Sequence, residues 1–586
     1  MIEARFDDLT TRGASFRLVG PVGVVEARRA DEVAEVLAAA ESSAQRGLWA
    51  GGFLSYEAAH GLDRALAVRA REPDDPFAEL PLAWFALFEG REPTTLPEPR
   101  DDGAATADTW HPSVDRARYD AAIATIRERI EAGDTYQVNH TFRLRSTVRG
   151  DERGLYRDMC FSQRGAYGAY LNAGRYRICS ASPELFFEWN EGRLTTRPMK
   201  GTAPRGRWPA EDRQMARHLE TSAKDRAENA MIVDLLRNDL GRVSRAGSVA
   251  CSEMFAAERY ETVWQLTSTV TSQVEPGMRL GDVMAALFPS GSVTGAPKVR
   301  SMEIIAGLED SPRGVYCGAV GVLAPPGHGP TARFNVAIRT VTVDSMSGAA
   351  EYGVGGGITW DSRAGDEYEE TVAKARILTS RRPRFELLET LLHEPGSGFS
   401  RLDLHLERLR GSAAYFGFGY DEAAVRDALA SAAMSVPDRP ARVRLLLDRE
   451  GKISTGAVPL PSRPEPARVV VDDRPIDPHD VLLFHKTSLR ERYERARARH
   501  PDADDVLLVN TRGEVTESTI ANLAVLLDGR WVTPPVDAGL LPGTRRAALL
   551  IDGTIEEATL RPEDLARSSE LRLLSATAPW RRAVLV

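Results

Sequence analysis

Apolar residues recur at helical spacing over residues 122–130 and 229–239, whereas residues 136–145 alternate with the period of a half-buried strand. Strand patterns also run over 315–322 and 331–343. Short apolar runs at 469–472 and 505–509 read as buried strands in the last third of the chain. Helical and strand patterns alternate throughout, which predicts an α/β or α+β class in both halves. Residues 91–108 are rich in Pro, Thr, Asp and Gly and read as a surface loop inside the first domain. A helix ends near Leu378, Ser380-Arg381-Arg382-Pro383-Arg384 follows, and a new strand pattern begins at Phe385. The main boundary is therefore placed at 380–384, between domains 1–379 and 385–586. Residues 459–466 hold four prolines and suit a connector between two subdomains of the second domain.

Composition narrows the class. A chain of 586 residues exceeds a single core, and 42% apolar with 27% charged residues is the profile of a globular enzyme. A net charge of −9 argues against a nucleic-acid partner. The arginines of 490–499 are interleaved with Glu491 and Glu494 and read as a solvated helix face. Cys160, Cys179, Cys251 and Cys317 lack metal or disulfide spacing, which points to a reducing cytoplasm. The first residues carry three acids and no apolar stretch, so no secretory signal is expected, and no run is long and apolar enough for a membrane span.

Two acid pairs carry the first chemistry. Asp225 and Glu228 are three apart on a predicted helix, and so are Glu367 and Glu370. Residues at i and i+3 share a helix face, so each pair can aim carboxylates at one point, and such hard oxygens suit Mg²⁺. Alone, an acid pair on a helix is more often a solvated face. Ahead of the second pair stands Gly353-Val-Gly-Gly-Gly-Ile358, whose backbone N–H groups can approach an anion closely. Lys200 stands in Arg197-Pro198-Met199-Lys200-Gly201-Thr202, a short loop after a strand-like run.

These motifs resemble the chorismate-utilising enzymes. Their E-N-x-M-I-V-D-L-x-R-N-D and E-x-x-E-T-x-x-K-A patterns stand here as Glu228-Asn-Ala-Met-Ile-Val-Asp-Leu-Leu-Arg-Asn-Asp239 and Glu367-Tyr-Glu-Glu370-Thr-Val-Ala-Lys374-Ala375. Between them lies Ser292-Val-Thr-Gly-Ala-Pro-Lys298. The resemblance implies two packed antiparallel sheets flanked by helices, with residues 1–110 as a variable amino-terminal part. It makes Asp225, Glu228, Glu367 and Glu370 the Mg²⁺ ligands. Tyr316 and Arg339 would hold the enolpyruvyl carboxylate, and Gly355 and Gly356, with Gln137, Thr202 and Lys374, would complete substrate binding. Arginine suits a carboxylate because its planar fork meets it bidentately. Glu184, in Ser182-Pro183-Glu184, would be the general acid that helps the C4 hydroxyl depart, which requires a raised pKa.

Lys200 sorts the aminating members. Enzymes that make anthranilate mostly carry alanine there, and aminodeoxychorismate synthases carry lysine. In the latter the amine adds at ring C2, and ammonia then enters at C4 and expels it. An amine needs desolvation or a cationic neighbour to be nucleophilic. Gln137 stands where water-using relatives place a lysine base, which disfavours hydrolysis-type chemistry. Gln265 replaces a histidine common in the family, which fits an enzyme that stops before aromatisation. No Gly-x-Cys-x-Gly elbow surrounds any cysteine, so ammonia is expected from a separate glutamine amidotransferase subunit.

The last third has its own ordered set: Leu404-His-Leu-Glu-Arg408, His485-Lys486-Thr487, Gly513-Glu-Val-Thr-Glu517-Ser-Thr-Ile-Ala-Asn522 and Gly539-Leu-Leu-Pro-Gly543-Thr544. It resembles the class IV pyridoxal-phosphate enzymes, which include branched-chain aminotransferases and aminodeoxychorismate lyase, and implies a two-subdomain fold. Lys486 would form the Schiff base, Glu517 would pair with the pyridine nitrogen, and Arg408 would bind the phosphate with Gly543 and Thr544 at a helix start. A tyrosine often found five residues after the lysine is absent, since Glu491 stands there. The two resemblances together imply 4-aminobenzoate synthesis from chorismate, with homodimers through the class IV domain as one arrangement. Three other readings stay open: an anthranilate synthase-like first domain, a transaminase, and a class IV domain serving only as a scaffold.

Overall fold

The structure is a computed structural model that describes residues 2–11, 13–97, 106–379, 383–436, 438–462, 464–578 and 580–586. Two compact units emerge, Met1–Pro204 with Ala216–Arg382, and Arg205–Met215 with Pro383–Val586. Of the boundary expected at 380–384, residues 380–382 lie outside the described residues, as do 98–105 of the expected loop and 463 of the proline connector. The segment Arg205–Met215 joins the second unit, which no sequence pattern signals.

In the first unit every strand pairing is antiparallel. The strand Gln137–Arg149 runs beside Ala349–Ile358 in unbroken register from Thr147↔Ala349 to Val138↔Ile358. The helices Arg116–Glu131 and Ala364–Ala375 cover it, and Tyr119, Phe142 and Tyr368 meet there at centroid distances of 5.3 to 6.3 Å. Asp115 caps the first of these helices by accepting from the Arg118 N–H. This placement of a half-apolar helix face against sheet is what the 3.6-residue spacing of Tyr119, Ala122, Ile123 and Ile126 demands.

Three local expectations change. The pattern over 331–343 is two strands, Ala332–Val336 and Thr340–Asp344, because Arg339 between them takes a left-handed backbone, φ 52°. The strand expected over 315–322 starts only at Ala319. Lys200 lies within a strand, Met199–Pro204, rather than a loop. The register of that strand slips between Met199 and Thr202 against Val263–Gln273, and Gly201 there has φ 105°. The extra residue is a β-bulge, which re-aims a side chain without ending the strand.

The second unit has the two expected parts. One is a four-stranded antiparallel sheet (Leu387–Glu394, Gly398–Phe399, Ala441–Leu447, Ile453–Pro459) with the helices Leu402–Phe416 and Glu422–Ala433. The other is an eight-stranded sheet in which Ala467–Val471 pairs in parallel with Asp505–Val509 and Arg581–Leu585. Among the described residues no helix is long and apolar enough to cross a membrane, and all four cysteines are free.

Candidate active sites

The cleft of the first unit gathers Glu184, Lys200, Thr202, Asp225, Glu228, Tyr316, Arg339, Gly355, Gly356, Glu367, Glu370 and Lys374. Its floor is the glycine strand, and three glycines there have distinct physical reasons. A Cβ on Gly353 would lie 2.0 Å from the Tyr316 ring, so only glycine lets that ring rest on the strand. On Gly356 it would approach Glu367 and Lys374 at 3.4 and 3.5 Å. On Gly357 it would fall 2.9 Å from both Lys200 Nζ and Gln137 Nε2, so these two side chains converge over that residue. Gln137 Oε1 is buried and has no hydrogen-bond partner among the described residues.

Lys200 Nζ sits 3.2 Å from Glu228 Oε2. Of the two activating surroundings named for this amine, desolvation or a cationic neighbour, the group at this distance supplies neither, since it is a carboxylate. Asn229, one residue on, fixes the bulge: its Nδ2 donates to the carbonyls of Lys200 and Leu266 at 3.1 Å, and Ser268 Oγ donates to its Oδ1 at 2.6 Å. Sequence reasoning gave Asn229 no role, although an amide in the buried face of Ile232, Val233 and Leu236 is the kind of polar residue that needs a partner. Thr202 Oγ1 donates to Gln265 Oε1 at 3.1 Å.

Glu184 is buried, and burial pushes its pKa up to about 7. Ser292 Oγ donates to its Oε1 at 2.6 Å. A carboxyl that keeps its proton near neutrality can donate it, which is the property expected of a general acid. Lys298, at the end of the same motif as Ser292, is half-buried outside the cleft lining and pairs with Asp239 at 2.8 Å. Arg339 donates from Nη1 to the Lys374 carbonyl, and Lys374 Nζ bonds the Gly355 carbonyl at 2.9 Å and Glu370 at 2.7 Å.

The four acids come from two helices, Asp225 and Glu228 from Ala223–Gly241, Glu367 and Glu370 from Ala364–Ala375. Burial raises the pKa of Glu367, which accepts from Ser362 Oγ at 2.6 Å, whereas the neighbouring Lys374 lowers that of Glu370. Four carboxylates on one cleft, balanced by Lys200 and Lys374, are a donor set that fits a hard divalent cation.

A second cleft, within the second unit, brings together Arg408, Lys486, Glu517, Gly543 and Thr544. Burial lowers the Lys486 pKa to about 8, with Arg408 adding to the shift. Glu517 is buried with a pKa raised to about 7, and accepts from Tyr493 OH at 3.0 Å and Asn522 Nδ2 at 3.1 Å. Tyr493 was missed because it stands seven residues after Lys486, where helical geometry rather than the family spacing brings it in. Arg408 is held bidentately by Glu389 at 2.9 and 2.7 Å and also donates to the Pro542 carbonyl at 3.1 Å. Burial opposes ionisation of Glu389, but Arg408 and His405 outweigh it and bring its pKa to about 2. Thr544 opens the helix Thr544–Ile551 with Gly543 as its cap, and a Cβ on Gly543 would meet Asn522 Oδ1 at 2.0 Å. Thr390, Arg442, Arg444, Arg490 and Arg545 also line this cleft and were not foreseen. The buried amine, the acid aimed beside it, and the backbone donors at a helix start fit pyridoxal phosphate.

Comparison with known proteins follows the same division. Residues 10–380 match the model of the chorismate binding enzymes, and residues 386–586 that of amino-transferase class IV. The chain is 42% identical over 281 residues to aminodeoxychorismate synthase component 1 of Escherichia coli (strain K12), a match covering 48% of this chain and 61% of that protein. It is 38% identical over 294 residues to anthranilate synthase component 1 of Streptomyces coelicolor, covering 50% of this chain and 56% of that one. The chain thus spans about three fifths of the length of the curated relatives it matches. Among solved structures, anthranilate synthase component I from Streptococcus pneumoniae TIGR4 superposes with a TM-score of 0.54 at 25% identity, over 64% of this chain and 92% of that one.

Proposed function

The chain belongs to the chorismate binding enzyme family, and from that premise we propose that it makes 4-aminobenzoate from chorismate in two steps. The first step aminates chorismate at C4, and the second removes pyruvate from the product. Relatives of both aminating types match at similar identity, 42% and 38%, so identity does not choose between them. Lys200 carries the choice: its Nζ converges with Gln137 over the glycine floor of the cleft.

In this reading Lys200 Nζ forms a bond to ring C2 as the C4 hydroxyl leaves as water with the Glu184 proton. Ammonia then bonds to C4 and Lys200 is expelled from C2. Lys200 must first give up its pairing with Glu228. Asp225, Glu228, Glu367 and Glu370 would hold Mg²⁺, which would neutralise substrate carboxylate. Arg339 and Tyr316 orient the enolpyruvyl end. Ammonia comes from a glutamine amidotransferase partner, in keeping with the relative's name as a component 1 and with the lack of a glutaminase elbow around any cysteine.

Pyridoxal phosphate, when bound in the second cleft, supplies an electron sink. Lys486 Nζ takes the proton from ring C4, enolpyruvate leaves, and the ring becomes aromatic. Glu517 sits at the buried end of the cleft to pair with the ring nitrogen, and the Gly543–Thr544 helix start and Arg408 serve the phosphate. The remaining arginines favour the lyase over a transaminase for apolar amino acids, because aminodeoxychorismate brings two carboxylates in addition to the phosphate. The cytoplasm is the proposed site of action.

The test is to supply purified protein with chorismate, Mg²⁺, ammonium and pyridoxal phosphate and to separate the products. 4-Aminobenzoate is expected. The ortho isomer would assign the first domain to anthranilate synthesis, and amino transfer to a keto acid would assign the second to transamination.

A further inference from the structure

After Thr202 the chain leaves its first unit at Pro204, spends residues Arg205–Met215 in the second, and returns at Ala216. The excursion is braced internally. Arg205 grips Asp212 with two bonds of 2.7 Å, and Asp212 Oδ1 also accepts from the Gly206 N–H at 2.9 Å. A Cβ on Gly206 would lie 2.2 Å from the Asp212 nitrogen, so the turn closes only on glycine.

The turn packs on Phe484 and His485, the two residues before Lys486. The Trp208 and Phe484 rings stand 5.1 Å apart. His485 is buried, its ring 4.5 and 4.7 Å from those of Tyr415 and Phe416. Its Nε2 lies 3.2 Å from the Arg207 carbonyl, and its Nδ1 lies 2.9 Å from Ser412 Oγ. A carbonyl only accepts, so Nε2 carries the hydrogen and Nδ1 takes one from Ser412. Burial pushes the His485 pKa down to about 3, so the ring stays neutral and keeps this one tautomer. Tyr415 is held in turn: its OH donates to the Gly206 carbonyl at 2.6 Å, and Arg205 lies 4.2 Å over its ring. On the other side, the Lys486 carbonyl accepts from the Leu388 N–H at 2.8 Å. The backbone at Lys486 is thus clamped between a strand of its own unit and an excursion placed in sequence between Lys200 and Asp225.

We propose that Arg205–Trp208 is a positioning element of the class IV site: through the Arg207 carbonyl, the Trp208 ring and His485 it sets the backbone that presents Lys486. The class IV catalytic unit therefore does not begin at residue 383, and a stretch of chain threaded between the reactive lysine and the metal acids of the first site completes the second. The inference rests on the pyridoxal-phosphate reading of Lys486, but not on which substrate that site takes.

The experiment uses the full chain with Trp208→Ala, Trp208→Phe and Tyr415→Phe. Cofactor binding is followed by visible absorbance, together with the pH titration of the bound cofactor's band, and chorismate consumption with ammonium is the control. Trp208→Ala should bind pyridoxal phosphate roughly tenfold more weakly and move the titration midpoint, as loss of a supporting contact does at other sites. Chorismate consumption should stay unchanged, and Trp208→Phe should restore binding. Tyr415→Phe, which removes one hydroxyl, should shift both readouts the same way by a smaller factor. Unchanged affinity and titration in Trp208→Ala and Tyr415→Phe would overturn the proposal, and so would a Trp208→Ala chain that loses chorismate consumption to the same degree. Because both cofactor readouts precede any turnover, a wrong substrate assignment leaves them intact.

Discussion

At the scale of single residues, the proposed first reaction turns on two side chains held by different physical means. Lys200, the proposed nucleophile, stands on a bulge where its carbonyl is tied to Asn229. Lys200→Ala should abolish para product, measured by product separation after a fixed time, while undiminished output would refute the covalent role. Glu184 is the proposed proton donor. Its folded pKa of about 7 means that the proton-donating form is present below that pH and disappears above it. The rate of chorismate amination should therefore fall as pH rises through about 7, and Glu184→Gln should lose that limb along with roughly 10²–10⁴ in rate. A pH–rate profile whose falling limb survives in Glu184→Gln would assign the proton to another group. Glu228, Glu367 and Glu370 stand inside long ordered motifs, and Lys200, Glu184 and Asp225 in shorter stretches that the resemblance picks out, so all six could be named from sequence before the fold brought them to one cleft. Asn229 and Tyr493 were not, since each acts by holding a neighbour, and such a role has no residue-type signature until the backbone brings the partner close.

At the scale of elements, the glycine strand and its neighbours explain why the cleft has a fixed shape. The strand Gln137–Arg149 is locked to the end of the helix Lys298–Leu308 through Glu309, which accepts from the Thr141 N–H at 2.9 Å and pairs with Arg143 and Arg313 at 3.0 and 2.6 Å. All three charged groups are buried. Burial opposes a charge on Glu309, but the two guanidinium groups outweigh it and bring its pKa to about 2. Removing the carboxylate leaves two buried cations without it, so Glu309→Ala should cost about 3–5 kcal/mol, read as a shift of the denaturant midpoint. A loss within the scatter of a surface substitution would show that the network is not a fastening. Because Arg143 also lies 5.4 Å over the Tyr316 ring, the damage should reach the cleft. Periodicity revealed the helices and most strands here, because one face of each is apolar. It merged the strands on either side of Arg339, because alternation of side chains continues across a single left-handed residue and carries no record of φ. It also read Lys200 as loop, since a bulge looks like a turn when only residue types are counted.

At the scale of the whole molecule, the two clefts present unlike groups, and that difference makes the proposed reactions separable. The first gathers carboxylates suited to a divalent cation, whereas the second presents one lysine amine among arginines. A chelator should therefore stop chorismate consumption but leave conversion of supplied aminodeoxychorismate to 4-aminobenzoate intact. Lys486→Ala should do the reverse, consuming chorismate at the parent rate while aminodeoxychorismate accumulates. Chromatography of both intermediates and products under the two conditions checks this crossed pattern. If chelation and Lys486→Ala each stopped the same step, a single site would have to carry both reactions, and the division of labour between units would be wrong. Two ordered motif sets point to the two family matches, residues 10–380 and 386–586, because each set is contiguous within its own stretch of chain. The excursion Arg205–Met215 escaped notice for the opposite reason: it belongs to one unit in space and to the other in sequence, and no local property of Arg205-Gly206-Arg207-Trp208 records that.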